Sequence, residues 1–313
     1  MLPCPHHHIV FTTPQELVPL WRYNKALFAS TLFAAASQTL AELLSDARYL
    51  GAKPGMLAAL HTWSQTLAAH VHLHVLVTAG GLTDEGQWRT AKKECLLPRK
   101  VLMIKFRGKF RAMLLDLIDR QKLKVPPDCS VEKLKGTLNR LGRLPWNVKL
   151  LERYDHGHGV ATYLANYLKG GPIGNHRILS ASEDEVVFRY RQPTHEHGQA
   201  AQQGTVRLHP VEFIARILEH VPPRRLQTVR GYGLYSGNQH SRLPEAHRAL
   251  GCELSAAEPP LSWEAFLKSL GHEPVCKCPI CGAELITIHS TACVRGPPVV
   301  FSEVAEFNST SAA

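Results

Sequence analysis

One run of eight residues does most to limit what this chain can become. His70-Val71-His72-Leu73-His74-Val75-Leu76-Val77 alternates histidines with aliphatic residues, and in a β-strand successive side chains point to opposite faces. Val71, Leu73, Val75 and Val77 are therefore expected to face a core, with His70, His72 and His74 projecting together from the other side. Two imidazoles separated by one residue are placed to share a metal ion, and their nitrogens suit Mn, Zn, Fe or Ni. The competing reading is a half-buried strand with an exposed polar face, although histidine is an uncommon choice for three such positions in succession.

The flanking sequence supplies partners for such a strand. His8 to Thr12 is a short β-prone run, followed by the helix-start signal Thr13-Pro14-Gln15-Glu16. A long helix is expected from there to about Leu50, where Gly51 and Pro54-Gly55 interrupt it. Met56–Trp63 and Val71–Thr78 read as strands, and Gly86–Lys93 as a short turn or strand. Leu97–Arg143 reads as helix broken at Pro126-Pro127, and Trp146–Leu151 as another strand. A helix from about Val160 to Leu168 follows Gly157 and Gly159. Arg177–Ser182 with Glu185–Arg191 reads as a hairpin, and Val211–His220 as a helix. This order predicts an α+β fold, a central antiparallel sheet with helices packed on it. Ser255–Pro260 reads as a linker to a small C-terminal module, with a disordered tail after Pro298.

Charge suggests a partner. The 313 residues carry a formal net charge of +10. Between Arg89 and Lys149 there are 17 Lys or Arg against 5 Asp or Glu, so that stretch alone accounts for the excess. A basic field of this kind attracts a phosphate backbone; the alternative is a set of solvated helix faces. Residues Ala26 to Leu44 are apolar, but Ser30, Thr31, Ser37, Gln38, Thr39 and Glu42 interrupt them. They read as a buried helix rather than a membrane span, and the chain as cytoplasmic. Four of the eight cysteines lie within Cys276–Cys293, which in a reducing compartment suggests metal before disulfide.

Tyr163-Leu164-Ala165-Asn166-Tyr167 puts two phenols four residues apart, on one face of a helix. A phenol of pKa near 10 is a poor nucleophile at neutral pH, but a nearby divalent ion can orient and polarise a phosphodiester for attack. An isolated Tyr-x-x-x-Tyr is more often an amphipathic helix burying two rings, so the pair gains meaning only beside the histidine strand.

Several segments, in order, resemble the two-tyrosine HUH transposases of rolling-circle insertion sequences, the IS-ninety-one type. His8-Ile-Val-Phe-Thr-Thr-Pro-Gln-Glu-Leu looks like the family's opening strand and helix start. His61-Thr-Trp-Ser-Gln65, His72-Leu73-His74-Val-Leu-Val-Thr and Gly80-Gly81 look like its metal-binding region. Tyr163 to Tyr167, with Asn175-His-Arg-Ile178, looks like its nucleophile helix. Val187-Phe-Arg-Tyr-Arg191, Glu212-Phe-Ile-Ala-Arg216 and Arg230-Gly-Tyr-Gly-Leu234 also fit.

The resemblance implies an HUH-type sheet and an enzyme that nicks and rejoins single-stranded DNA through a 5′-phosphotyrosine, acting on transposon ends at the bacterial nucleoid. His72 and His74 would be the paired ligands for Mg²⁺ or Mn²⁺, and Tyr163 and Tyr167 the nucleophiles. Gln65 is the first candidate for a third ligand, with His70, Glu152, His156 and His158 open. Only Cys4 precedes the first strand, where such proteins usually carry a cysteine-rich zinc-binding segment, so an N-terminally shortened member is expected. His6-His7-His8 reads as incidental.

Cys278-x-x-Cys281-Gly282 is a zinc half-site by spacing, with His289 and Cys293 as the candidates to complete it. The expected organisation is a catalytic domain over 1–180, an extension of hairpin plus helix over 181–254, and a CxxC module with its tail over 255–313. Two rival readings remain: an inactive, DNA-binding transposase remnant, and a replication initiator or relaxase of the same chemistry.

Overall fold

The computed structural model describes residues 1–91, 96–155, 171–192, 202–239, 241–252 and 265. The chain divides into two compact units, Met1–Leu254 and Ser255–Ala313, and every element named below belongs to the first.

The expected α+β architecture is present. Six antiparallel strands form the central sheet: β1 (His6–Thr12), β2 (Lys53–Trp63), β3 (Ala69–Leu82), β4 (Trp88–Thr90), β5 (Val148–Tyr154) and β9 (Val229–Gly233). The order across it is β5-β1-β3-β2-β9, with the short β4 paired to the far end of β3. A smaller antiparallel sheet is made of β6 (Ile178–Ala181), β7 (Val186–Gln192) and β8 (Gln202–Leu208). The hairpin expected over Arg177–Arg191 is β6–β7. Neither β8 nor β9 is marked by the sequence, because both contain glycine and lack a run of β-branched residues.

Four helices precede β5: α1 (Val18–Tyr23), α2 (Lys25–Ser45), α3 (Arg99–Asp119) and α4 (Val131–Leu141). Two more, α5 (Pro210–Glu219) and α6 (Arg242–Ala249), come after β8. The single helix expected up to Leu50 is broken at Asn24. That residue is buried, and its side-chain amide donates to the carbonyls of Leu20 and Lys124 while its oxygen accepts from the Lys124 amide. It thereby ties the α1–α2 corner to the loop after α3. The α4 helix starts where Ser130 caps the Lys133 amide.

Alternation along the strands decides which face each helix covers. Ile9 and Phe11 of β1, Met56, Ala58 and Leu60 of β2, and Val71, Leu73, Val75 and Val77 of β3 join one buried core with α2, α3 and α4. Phe106 and Phe110 of α3 stack near the centre of that core, with Phe106 4.7 Å from Phe11 and 5.8 Å from Trp146, ring centre to ring centre. In length and apolar character α2 would pass for a membrane span, yet 61% of its most apolar window is buried inside the protein. It is a core helix.

The other face of the sheet carries the histidines. The hairpin turn between β2 and β3, at Ser64–Ala68, reaches into a separate apolar cluster. There Leu67 packs with Phe188, Leu208, Phe213 and Ile217, so the small sheet and α5 grip the tip of the hairpin. Leu67 adopts a positive φ of 62° to make that turn, a strained choice for a branched side chain that its complete burial offsets.

Removing Phe106 should therefore be costly. Phe106→Ala leaves a cavity facing three aromatic rings and is expected to lower stability by about 3–5 kcal/mol, read from urea unfolding. A loss below about 1 kcal/mol would mean that α3 is not packed as described.

Candidate metal centre

The antiparallel register of β2 and β3 sets His61 directly across from His72 and Ala59 across from His74. His61, His72 and His74 thus share a face, and each offers a ring nitrogen within 4.8 Å of the other two. Ring centres lie 5.4 Å apart for His61–His72, 4.4 Å for His61–His74 and 4.9 Å for His72–His74. His61 and His74 are buried and His72 is half-buried.

Two hydrogen bonds orient these rings. His72 Nδ1 lies 2.7 Å from the His70 carbonyl oxygen. A carbonyl can only accept, so Nδ1 carries the proton and Nε2 keeps its lone pair for a metal. His74 Nδ1 lies 2.7 Å from Nε2 of His8 on β1, and one of the two must carry the shared proton. When His74 donates it, the lone pair of its ring lies on Nε2. His8 is therefore part of the site, although its place in an N-terminal run of three histidines gave no sign of it. His6 serves a different purpose: its Nδ1 donates to the Cys4 carbonyl and its Nε2 accepts from the Tyr235 hydroxyl.

Burial keeps the rings neutral. It lowers the pKa of His61 to about 4, with His8 adding a smaller repulsion, and that of His72 to about 3. His74 falls to about 2, from burial first and then from His61, His72 and His8. Unprotonated imidazole is the ligand form, so the set fits a divalent ion at neutral pH without having to lose protons first.

The other residues singled out in the sequence are placed as follows. Gln65 sits exposed in the turn joining β2 to β3, and its backbone carbonyl accepts from Arg177. His70 is half-buried beside His72, 5.0 Å between ring centres. Glu152 lies on β5. Tyr163, Tyr167, His156, His158, Cys278, Cys281, His289 and Cys293 lie outside the described residues. Trp146, whose indole could in principle have stacked on a base, is buried in the core and donates to the Leu141 carbonyl at 3.0 Å. Tyr154, at the end of β5, is half-buried on the histidine face, its ring centre 6.3 Å from that of His8.

The basic stretch from Arg89 to Lys149 is largely α3 and α4, on the face of the sheet away from the imidazoles. Several of its cations are already paired: Lys105 and Lys109 with Glu42, Lys135 with Asp119, Arg120 with Asp116, and Arg140 with Glu16.

Residues 55–242, which span β2 through the start of α6, match the Y2_Tnp family model, "Putative transposase". The chain belongs to this transposase family. It is 31% identical over 309 residues to "Putative transposase y4qJ" of Sinorhizobium fredii (strain NBRC 101917 / NGR234), covering 95% of this chain and 76% of that protein. It is 29% identical over 300 residues to the "Transposase for insertion sequence element IS801" of Pseudomonas savastanoi pv. phaseolicola, covering 94% and 69%. A solved structure, a conjugative relaxase TrwC in complex with oriT DNA in its metal-bound form, aligns at a TM-score of 0.28 and 14% identity, over 52% of this chain and 72% of that one. A transposase acts on DNA.

Neutral, buried histidines make this transposase acid-sensitive in a defined window. His6, His8 and His61 have pKa values pushed down to about 4 by burial, whereas in the unfolded chain they titrate near 6.5. Between these values the unfolded state binds protons that the folded state does not, so stability falls as pH drops. The urea midpoint of the metal-free protein should decline from pH 6.5 toward pH 5, before carboxylates contribute. A flat midpoint over that range would contradict burial of uncharged rings.

Proposed function

We propose that this transposase nicks and rejoins single-stranded DNA by transesterification at a metal centre built from His61, His72 and His74. The observation that carries this reading is the convergence of three unprotonated imidazoles on one face of the sheet, in a chain of the transposase family. A divalent ion held there would withdraw charge from the non-bridging oxygens of a phosphodiester and orient it for in-line attack. All-nitrogen ligation favours Mn²⁺ over the harder Mg²⁺.

The chain's own residues supply the rest. The His70 carbonyl holds His72 in the tautomer that presents Nε2, and His8 does the same for His74 when it accepts the proton they share. Tyr163 and Tyr167 are assigned as nucleophiles on their i,i+4 spacing and on the family resemblance. In the first step a tyrosine oxygen bonds to phosphorus and the P–O3′ bond breaks. The phenol proton passes to solvent, and the departing 3′ oxygen takes one up. The 5′ phosphate stays on the enzyme and keeps the bond energy, so the 3′ hydroxyl of a second strand can attack the same phosphorus and regenerate the phenol without ATP. Two tyrosines allow two strands to be held in succession, as rolling-circle transposition of an insertion sequence requires. Action at the bacterial nucleoid, a division into 1–180, 181–254 and 255–313, and zinc at Cys278 and Cys281 are further parts of this reading.

The choice of third ligand is open to a direct measurement. Calorimetric Mn²⁺ titration should show weakened binding in His61→Ala and wild-type binding in Gln65→Ala; the reverse order would assign the position to Gln65. The reaction is tested by incubating the full chain with a labelled single-stranded oligonucleotide carrying a transposon end, with Mn²⁺, and resolving denatured products. A covalent adduct is expected, lost in His72→Ala and in the double variant Tyr163→Phe, Tyr167→Phe. Binding of DNA without any adduct in the wild type would leave a DNA-binding remnant instead of an enzyme.

A further inference from the structure

We infer that the edge of the small sheet, between the end of β7 and the turn at Asn175–Arg177, is a second contact for single-stranded DNA, distinct from the imidazole cluster. The inference rests on the reading of this transposase as a single-strand enzyme, and it adds a place where the strand is held.

The site exists because two strands end out of step. β6 begins at Ile178, opposite Phe188, while β7 runs on to Gln192. Among the described residues the last of β7 therefore have no strand beside them on that side, and a cavity of about 390 Å³ opens there. Arg177, Arg189 and Arg191 line it, with Tyr190, Gln203 and Gln65. Among the described residues no carboxylate does. Glu185, at the other end of β7, is taken up by Arg207 at 2.8 Å.

Two of the three guanidinium groups are positioned by neutral partners. Arg177 Nε donates to the Arg189 carbonyl at 2.8 Å, and Arg189 Nη2 donates to the His176 carbonyl at 2.9 Å. Carbonyls orient a guanidinium but do not cancel its charge. Here the contrast with α3 and α4 is informative, because there lysines and arginines meet carboxylates. Arg177 is also half-buried, burial holds its pKa below the ordinary arginine value, and among the described residues no carboxylate pairs with it. Three like charges facing one cavity repel each other, and a phosphate bridging them relieves that repulsion through bidentate bonds.

The ring beside them selects among anions. Tyr190 lies across Gly204 of β8, so closely that any Cβ at that position would run into the ring. Pinned against backbone on one side, the half-buried ring lines the cavity. An aromatic platform next to backbone-binding cations is the arrangement that holds a single strand, because stacking needs a base that is not already paired. Free phosphate would gain nothing from the ring.

The cradle is also joined to the imidazoles. Arg177 donates to the Gln65 carbonyl, in the turn between the strand that carries His61 and the strand that carries His72. Gln65 is four positions along the chain from His61, at most roughly 13 Å at strand spacing. A strand crossing the imidazole face thus reaches the cradle within a few nucleotides.

The test uses the full chain and fluorescence anisotropy of a labelled single-stranded oligonucleotide over a series of NaCl concentrations. Arg189→Gln with Arg191→Gln should weaken binding roughly tenfold and flatten the dependence of log K on log salt by about 1.4, two phosphate contacts at about 0.7 each. Arg189→Lys with Arg191→Lys should restore most of the slope, which a purely structural role would not predict. Tyr190→Leu should weaken single-strand binding with the slope unchanged. Mn²⁺ titration of each variant reports whether the imidazole face is intact. Wild-type affinity and slope in the double glutamine variant, or equal binding of the matching duplex, would overturn the inference. If the wild type forms adducts while the glutamine variant keeps its slope, only the cradle fails. If no adduct forms but the slope still drops, the transesterase reading fails and the cradle stands.

Discussion

The site depends on the register of the β2–β3 hairpin. His61 and His72 are direct cross-strand neighbours, and a slip of one residue would turn either strand's side chains to the opposite face, breaking the triad and exposing the core at once. Two things fix that register. On the core face, Met56, Ala58 and Leu60 must meet Val77, Val75 and Leu73 beneath α2. At the turn, Leu67 is anchored in the second apolar cluster, while His220 Nε2 and Arg216 Nη1 donate to the carbonyls of Leu67 and Thr66 at 3.0 and 3.1 Å. The geometry of the imidazoles is therefore held from both ends of the hairpin, by packing rather than by the imidazoles themselves.

Packing of that kind has an electrostatic consequence. Neutral histidines gathered on a buried face give up solvation of their charged forms, which disposes the cluster toward a cation other than the proton. The positive charge of the chain is distributed to match. On the helical face much of it is met by carboxylates, as in the Glu42 pairs with Lys105 and Lys109; at the edge of the small sheet it is oriented by carbonyls, and among the described residues no carboxylate meets Arg177, Arg189 or Arg191. Net charge alone pointed to the 89–149 stretch. Pairing, which only the fold reveals, shifts attention to Arg177, Arg189 and Arg191.

How much of this the sequence disclosed follows from the range of each interaction. The α+β class, the central strand and the shared face of His72 and His74 were legible, because alternation is local to one strand. His61 was not, although it stood in a segment already read as strand. Its facing depends on how β2 pairs with β3, and the register shifts between His61 and Trp63, so counting residues back from the turn gives the wrong parity. His8 was hidden for the same reason one strand further out. The break at Asn24 escaped notice because its side chain is engaged with Leu20 and with Lys124, a hundred positions away. In β9 the glycines that weaken a strand signal are required by contact: Gly233 has a φ of +58°, and a side chain there would strike the Pro54 carbonyl.

The turn at Ser64–Ala68 makes the two candidate DNA contacts mechanically dependent. Arg177 of the small sheet's entry, Arg216 of α5 and His220 at its end each bond a different carbonyl of that turn, those of Gln65, Thr66 and Leu67. A side chain that grips a strand at the cradle thus pulls on the same short segment that sets His61 against His72. Arg177 cannot turn fully toward a phosphate without loosening its bond to Gln65. Among the described residues neither Arg189 nor Arg191 bonds the hairpin, and Arg189 is held instead by the His176 carbonyl. The edge of the small sheet and the hairpin that sets His61 against His72 are therefore joined through one short turn, so a change in the bonding of Arg177 is felt by the segment that fixes the register of the imidazoles.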